Sequence, residues 1–69
     1  MEKYAVVIYE DAAGGFWAEV PALPGCYSQG ESIEELMDNV REAIAGVLEV
    51  MKERGARPET NIQILDVAV

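Results

Sequence analysis

A single long amphipathic segment in the second half of the chain most constrains its fold. Ser32 and Glu35 form a capping box, in which the hydroxyl satisfies an amide of the first turn and the glutamate reaches back to the cap. Lys52 and Arg54 suit the negative end of a helix, and Gly55 supplies the left-handed residue that commonly ends one. Together these signals predict a helix of about 22 residues.

Apolar residues recur through this segment at the spacing of one helical face. They are Ile33, Leu36, Met37, Val40, Ala43, Ile44, Val47, Leu48 and Met51. Charged residues such as Glu34, Glu42 and Glu49 fall outside that stripe. The predicted helix therefore has one face to bury against the rest of the domain.

Three strand-like runs precede the helix and one follows it. Residues 4–10 and 16–20 are apolar and flank the turn signal at residues 11–15, which predicts a β-hairpin with a loop of several residues. Prolines interrupt regular structure after the second run, and a short third strand is predicted over residues 26–29. Residues 62–69 resemble a final strand in their content of Ile, Leu and Val.

This order predicts an α+β fold of the type β-β-β-α-β. The long helix is expected to return the chain beside the first strand, giving a four-stranded sheet in the order 3-2-1-4 with the last strand parallel to the first. One helix covers only one face of such a sheet, yet Trp17 is expected to point away from Phe16 and Ala18 because side chains alternate. We therefore predict that a second copy covers that face or an exposed edge, in a homodimer or larger oligomer.

The charge balance narrows the possible partners. Thirteen acidic residues against five basic ones give a formal net charge of −8, which repels phosphate backbones and anionic lipids. The longest apolar run near the start, residues 4–9, is far shorter than the roughly 20 residues of a membrane span. We expect a cytoplasmic protein without direct contact to nucleic acid or membrane. The acidic balance has two interpretations, which are solubility and an electrostatic match to a basic protein partner.

The residue types present also limit the chemistry. The chain has no histidine and one cysteine, so neither a Ser-His-Asp triad, a Cys-His pair nor a structural zinc site is expected. Glu10, Glu19 and Glu42 invite a two-metal nuclease hypothesis, but their spacing favours separate surface acids. Cys26 is predicted to be a small buried apolar residue. We expect no enzyme activity, no cofactor and no metal site.

A longer pattern carries a family resemblance. Val20-Pro21-Ala22-Leu23-Pro24-Gly25-Cys26 is followed by Ser28-Gln29-Gly30 and by the acidic helix start Ser32-Ile33-Glu34-Glu35. In order and spacing this pattern resembles the N-terminal domain of HicB-like antitoxins over almost the whole chain. The motif is carried by Pro21, Leu23, Pro24, Gly25, Cys26, Gly30, Ser32 and Glu35.

The resemblance implies a partial ribonuclease-H-like fold and a role in a type II toxin–antitoxin system. Such a protein binds and blocks a HicA-like toxin, a small basic protein that cleaves messenger RNA with a histidine. Full-length antitoxins usually continue into a DNA-binding domain, whereas we expect residues 1–69 to form one antitoxin domain without it. Glu10, Asp11 and Glu19 are the acids predicted to steer the partner, because we expect them to cluster at one end of the hairpin. The alternatives are a small-ligand sensor and, more distantly, a metal-dependent nuclease.

Overall fold

The computed structural model describes residues 2–59 and 62–68. Within them the chain forms three strands, β1 (Val7–Glu10), β2 (Phe16–Glu19) and β3 (Tyr27–Gly30), followed by one helix, α1 (Ile33–Arg54). The strands make an antiparallel sheet in the order β1-β2-β3, and α1 packs on β3 and β2. The predicted α+β class with one long helix on one face is confirmed.

The predicted fourth strand is wrong for residues 62–68, which form no strand; Val69 lies outside the described residues. The order 3-2-1-4 and its parallel pairing are therefore replaced by a three-stranded sheet. One hydrogen bond and the position of the helix explain the difference. The amide of Glu59 donates to the carbonyl of Ala22 at 2.9 Å, which ties the chain after α1 to the proline-containing loop. Because α1 covers β3 and β2, a strand beside β1 would find little helix to bury against.

The hairpin of β1 and β2 has the predicted loop. The amide of Asp11 donates to the carbonyl of Gly15 at 3.0 Å, and Gly14 and Gly15 have φ values of 106° and 80°, which side chains rarely tolerate. β1 begins at Val7, three residues later than predicted, because the preceding chain pairs with no strand. Tyr4 and Val6 pack against the core from this lead-in segment.

The core lies between the sheet and the first half of α1. Its fully buried apolar residues are Ala18, Val20, Leu23, Cys26, Leu36 and Val40. Three of them, Val20, Leu23 and Cys26, come from the loop between β2 and β3. In this loop the amide of Cys26 donates to the carbonyl of Leu23 at 3.0 Å. The loop thus contributes half of the buried set and satisfies its own amides while it packs.

Both ends of α1 carry the capping interactions that the sequence predicts. The hydroxyl of Ser32 accepts a hydrogen bond from the amide of Glu35 at 3.1 Å. The carboxylate of Glu35 accepts from the amide of Glu31 at 3.3 Å, one residue before the expected cap. At the other end Gly55 is left-handed with φ 69°, and its amide and that of Ala56 donate to the last turn. The helix spans 22 residues, as predicted.

Candidate partner-binding face

The sheet has one face that α1 does not cover, here called the outer face. Side chains alternate along strands, so the strand pairing assigns six residues to it: Val7, Tyr9, Trp17, Glu19, Tyr27 and Gln29. They form two rows across the sheet, one running from Val7 through Glu19 to Tyr27 and one from Tyr9 through Trp17 to Gln29. The expectation that Trp17 points away from Phe16 and Ala18 is confirmed.

Three aromatic rings dominate the outer face. Tyr9 and Trp17 stack with ring centroids 4.1 Å apart and planes 12° apart. Trp17 and Tyr27 lie 6.3 Å apart and are tilted by 41°. The exposed fractions are 38% for Tyr9, 37% for Trp17 and 59% for Tyr27. Aromatic side chains grouped and exposed in this way are typical of protein interfaces.

The electrostatic character of the outer face is acidic. The hydroxyl of Tyr9 donates to a carboxylate oxygen of Glu19 at 2.7 Å. This hydrogen bond is the main reason that the pKa of the Tyr9 phenol is raised above its usual value, since ionisation would remove the proton that the phenol donates. β1, β2 and β3 contain no lysine or arginine. The face therefore offers rings and hydrogen-bond acceptors to a partner, but no cation.

A shallow cleft, open to solvent, lies beside Trp17 and Tyr27 on this face. It has a volume of about 490 Å³, and Ser28 and Gln29 complete its lining. Gln29 pairs with Trp17 across the sheet, while Glu19 pairs with Tyr27. Gln29 therefore lines the cleft, whereas Glu19 lies next to Tyr27 on the other side of the two rings.

The structure separates the three acids predicted to steer a partner. Glu10 ends β1 on the side of the sheet that faces the helix, and Glu19 lies on the outer face. Asp11 lies in the hairpin loop, where its carboxylate accepts from the amide of Ala13 at 2.9 Å. Our expectation that all three cluster at one end of the hairpin is wrong. Glu19 pairs with Val7, about 10 Å along β1 from Glu10, because each strand residue advances about 3.3 Å.

The residues of the family motif have structural roles in the core, the turns and the start of α1. Leu23 and Cys26 are buried, and burial raises the pKa of the Cys26 thiol, so the prediction of a buried apolar cysteine is confirmed. Gly25 has φ 81° in the turn. Gly30 lies so close to α1 that an added Cβ would be 2.6 Å from the Leu36 amide nitrogen. Pro21 is half-buried and Pro24 exposed, and the bonds of Ser32 and Glu35 cap the helix.

The geometry gives little support to a metal-dependent nuclease or to a small-ligand sensor. Among residues 2–59 and 62–68, no group of three or more His, Cys, Asp or Glu side chains could hold a metal ion. Glu42 is exposed on α1. A cavity of about 870 Å³ lies between the N-terminal segment and residues around Pro58. Across the described chain no polar or charged side chain is buried, so this cavity lacks the converging buried polar groups typical of a small-ligand site.

Sequence reasoning missed two features of this region. The side-chain amide of Asn39 donates to the carbonyl of Gln29 at 2.8 Å and so ties α1 to β3 beneath the outer face. The aromatic cleft was also missed, because it depends on which residues of β2 and β3 lie opposite each other.

In the described parts of the chain, no helix is both long and apolar enough to cross a membrane.

Comparison with known proteins assigns a family. Residues 4–68 match the family described as "HicB_like antitoxin of bacterial toxin-antitoxin system". A UPF0150 protein of Archaeoglobus fulgidus is 42% identical over 65 residues, which cover 94% of each chain. A UPF0150 protein of Thermoplasma acidophilum is 38% identical over 66 residues, covering 94% of this chain and 96% of the relative. A UPF0150 protein of Synechocystis is 50% identical over 48 residues, or 70% of each chain. The chain belongs to the HicB-like antitoxin family of bacterial toxin–antitoxin systems.

Proposed function

We propose that this domain neutralises a small basic HicA-like toxin by binding it and covering its RNA-binding face and active-site histidine. The observation that carries the proposal is the family match over residues 4–68. An antitoxin of this kind works as a binding module and needs no catalytic residues of its own.

The charge of the chain supports the proposal. A toxin that binds RNA must present a basic surface. A domain with a net charge of −8 is attracted to such a surface over long range. The aromatic outer face adds apolar area that can hold a partner once the two proteins have met. Attraction then sets the association rate, and buried contact sets the dissociation rate.

The direct test uses the product of the neighbouring reading frame, purified separately, which we expect to be a small basic protein with one histidine. RNA cleavage by that protein is measured with and without the domain at a one-to-one ratio, and binding is measured by isothermal titration calorimetry. We expect a stable complex in which RNA cleavage stops. Undetectable binding would mean that this domain is not the antitoxin of that protein.

A second experiment tests nuclease activity. The isolated domain, incubated with RNA or DNA in magnesium or manganese, is expected to show no turnover. Cleavage by the unmodified domain that is lost in Glu10→Gln or Glu19→Gln would instead favour the nuclease.

Association kinetics test the steering acids. Screening acts over about 10 Å at 0.1 M salt, so the on-rate should fall steeply from low to moderate ionic strength while the off-rate changes less. Neutralising Glu10, Asp11 and Glu19 together should lower the on-rate at low salt. The matched control neutralises Glu42, Glu49 and Glu53, three exposed acids of α1. Equal effects in the two triple variants would mean that only net charge matters.

We also propose that the domain self-associates through β1. β1 pairs with β2 along one edge, and no described residue pairs with its other edge. Ile8 is 41% exposed although it faces the helix side, because α1 does not extend over β1. Exposed strand edges of this kind readily pair with another chain. An edge-to-edge dimer would leave the outer face free for the toxin.

Sedimentation equilibrium at tens of micromolar protein tests self-association. We expect a dimer for the unmodified chain and a monomer for Ile8→Lys, since a charge on an edge strand opposes pairing. Ile33→Lys provides the control, because Ile33 is similarly exposed, at 45%, but lies at the start of α1. A monomeric unmodified chain would overturn this part of the proposal.

A further inference from the structure

We infer that the cleft between Trp17 and Tyr27 is an arginine-binding site, in which the outer face receives a guanidinium group from the surface of the partner protein. This inference rests on the proposed function, because the partner is the basic protein that the domain neutralises. It names the surface and the chemical group by which that partner is recognised.

The spacing of the rings is close to that needed to hold a flat cation. A plane held between two rings needs a centroid separation of roughly 7 Å, twice the usual contact distance between carbon atoms. Trp17 and Tyr27 are 6.3 Å apart with their planes tilted by 41°, so the rings are not closed on each other. Tyr27 is exposed over more than half of its surface and can rotate slightly to widen the cleft. Tyr9 stacks at 4.1 Å on Trp17 and supports that ring.

The polar side chains beside the cleft match the donors of a guanidinium. Strand pairing places Glu19 opposite Tyr27 and Gln29 opposite Trp17. The two rings thus occupy one diagonal of this group of four residues. The two hydrogen-bond acceptors, Glu19 and Gln29, occupy the other. The hydroxyl of Tyr9 donates to Glu19 and orients its carboxylate. A carboxylate retains further lone pairs after one such bond, and it forms strong charge-assisted bonds with arginine.

Arginine fits this site better than other ligands. Its guanidinium stacks on aromatic rings and directs its N–H groups outward in the same plane, whereas the ammonium of lysine is compact and strongly hydrated. RNA bases also stack on aromatic side chains, but single-strand binding relies on positive charge along the groove. The three strands carry no lysine or arginine, and the chain has a net charge of −8. An RNA strand would therefore be repelled from the surface that its bases must reach.

Trp17 is the only tryptophan in the chain, so its fluorescence reports the site directly. The unmodified domain is titrated with hexa-arginine, with hexa-lysine of equal charge, and with a short oligouridine. We expect hexa-arginine to change the fluorescence of Trp17 and to bind about three- to tenfold more tightly than hexa-lysine, the range that a cation stacked on rings contributes. Equal binding of the two peptides, or tighter binding of the oligouridine, would overturn the inference.

Variants separate the site from general charge attraction. Tyr27→Ser and Glu19→Gln should each weaken hexa-arginine binding about three- to tenfold, through loss of the stack or of the charge-assisted bond. Tyr27→Phe, which keeps the ring, should bind as the unmodified chain does. Glu49→Gln removes the same charge as Glu19→Gln from an exposed position on α1 and should change binding less than twofold. Equal losses in Glu19→Gln and Glu49→Gln would contradict the site.

The neighbouring basic protein then distinguishes failure of the site from failure of the function. If that protein binds the unmodified domain and Tyr27→Ser and Glu19→Gln both weaken the complex, the inference stands. If it binds both variants as tightly as the unmodified domain, the antitoxin function holds and the arginine site is wrong. If it does not bind at all while hexa-arginine still discriminates as expected, the proposed function fails for that pair and the arginine site stands.

Discussion

The two faces of the sheet are built from alternate residues of the same strands, yet they differ in almost every property. On the covered face Ala18 of β2 and Val20, the residue after β2, lie buried with Leu36 and Val40 of α1. On the outer face the neighbouring Trp17 and Glu19 meet solvent beside exposed tyrosines. Small aliphatic residues thus hold the fold together, while aromatic and acidic residues remain available for contact. In a domain this small, the residues that hold the fold together and the residues left exposed are separated by a single step along a strand.

The largest effect on stability should come from the covered face. Leu36→Ala empties a fully buried position between α1 and the sheet and should lower the free energy of unfolding by about 2–5 kcal/mol. Urea unfolding followed by circular dichroism measures this change. Val50→Ala on the exposed side of the same helix is the control, with an expected change of about 0.5 kcal/mol or less. Similar losses in both variants would mean that the covered face is not the core.

A smaller loss is expected where α1 approaches β3. Gly30→Ala adds a Cβ 2.6 Å from the amide nitrogen of Leu36, which forces the helix and strand apart and should cost about 1–3 kcal/mol. Gly46→Ala is the matched control, because Gly46 lies within α1 with nothing inside 4 Å of the added carbon. That substitution should stabilise the chain by about 0.5–1 kcal/mol. A tolerated Gly30→Ala would show that the close approach is not tight in solution.

The outer face should tolerate change with little loss of stability. Tyr27→Ser alters a side chain that is more than half exposed, and the free energy of unfolding should change by no more than about 0.5 kcal/mol. Thermal unfolding of this variant beside Leu36→Ala makes the contrast between the two faces direct. A loss as large as that of Leu36→Ala would assign the aromatic rings to the core rather than to recognition.

The covered face also predicts a pH dependence of stability that appears only at alkaline pH. Burial raises the pKa of the Cys26 thiol above its ordinary value of 9.0, so folding favours the protonated form. The stabilisation is complete below the unfolded pKa and is lost as the pH rises through the folded pKa. The free energy of unfolding should therefore fall above pH 9.0, and Cys26→Ala should reduce that slope. Tyr4 and Tyr9 add a fall of the same sign above pH 10.0, which remains in the variant. An unchanged slope in Cys26→Ala would mean that its thiol ionises as freely as in the unfolded chain.

Local patterns in the sequence were sufficient to locate most of the elements. The helix is predicted correctly from Ser32 to Gly55, because caps and apolar periodicity are properties of neighbouring residues. The hairpin loop and the burial of Cys26 are likewise confirmed. The family motif is visible in the sequence for the same reason, since its prolines and glycines act through the local backbone.

The fourth strand and the site needed information that no local pattern carries. Residues 62–68 have strand-forming side chains, but a strand exists only when an edge and a covering layer are present, and α1 lies over β3 and β2 rather than β1. The sequence by itself determined the helix, its caps, the hairpin and the acidic charge, because these depend on near neighbours and on composition. Only the tertiary structure decided that Trp17 meets Tyr27 beside Glu19 and Gln29, because the register between strands sets which distant residues become neighbours.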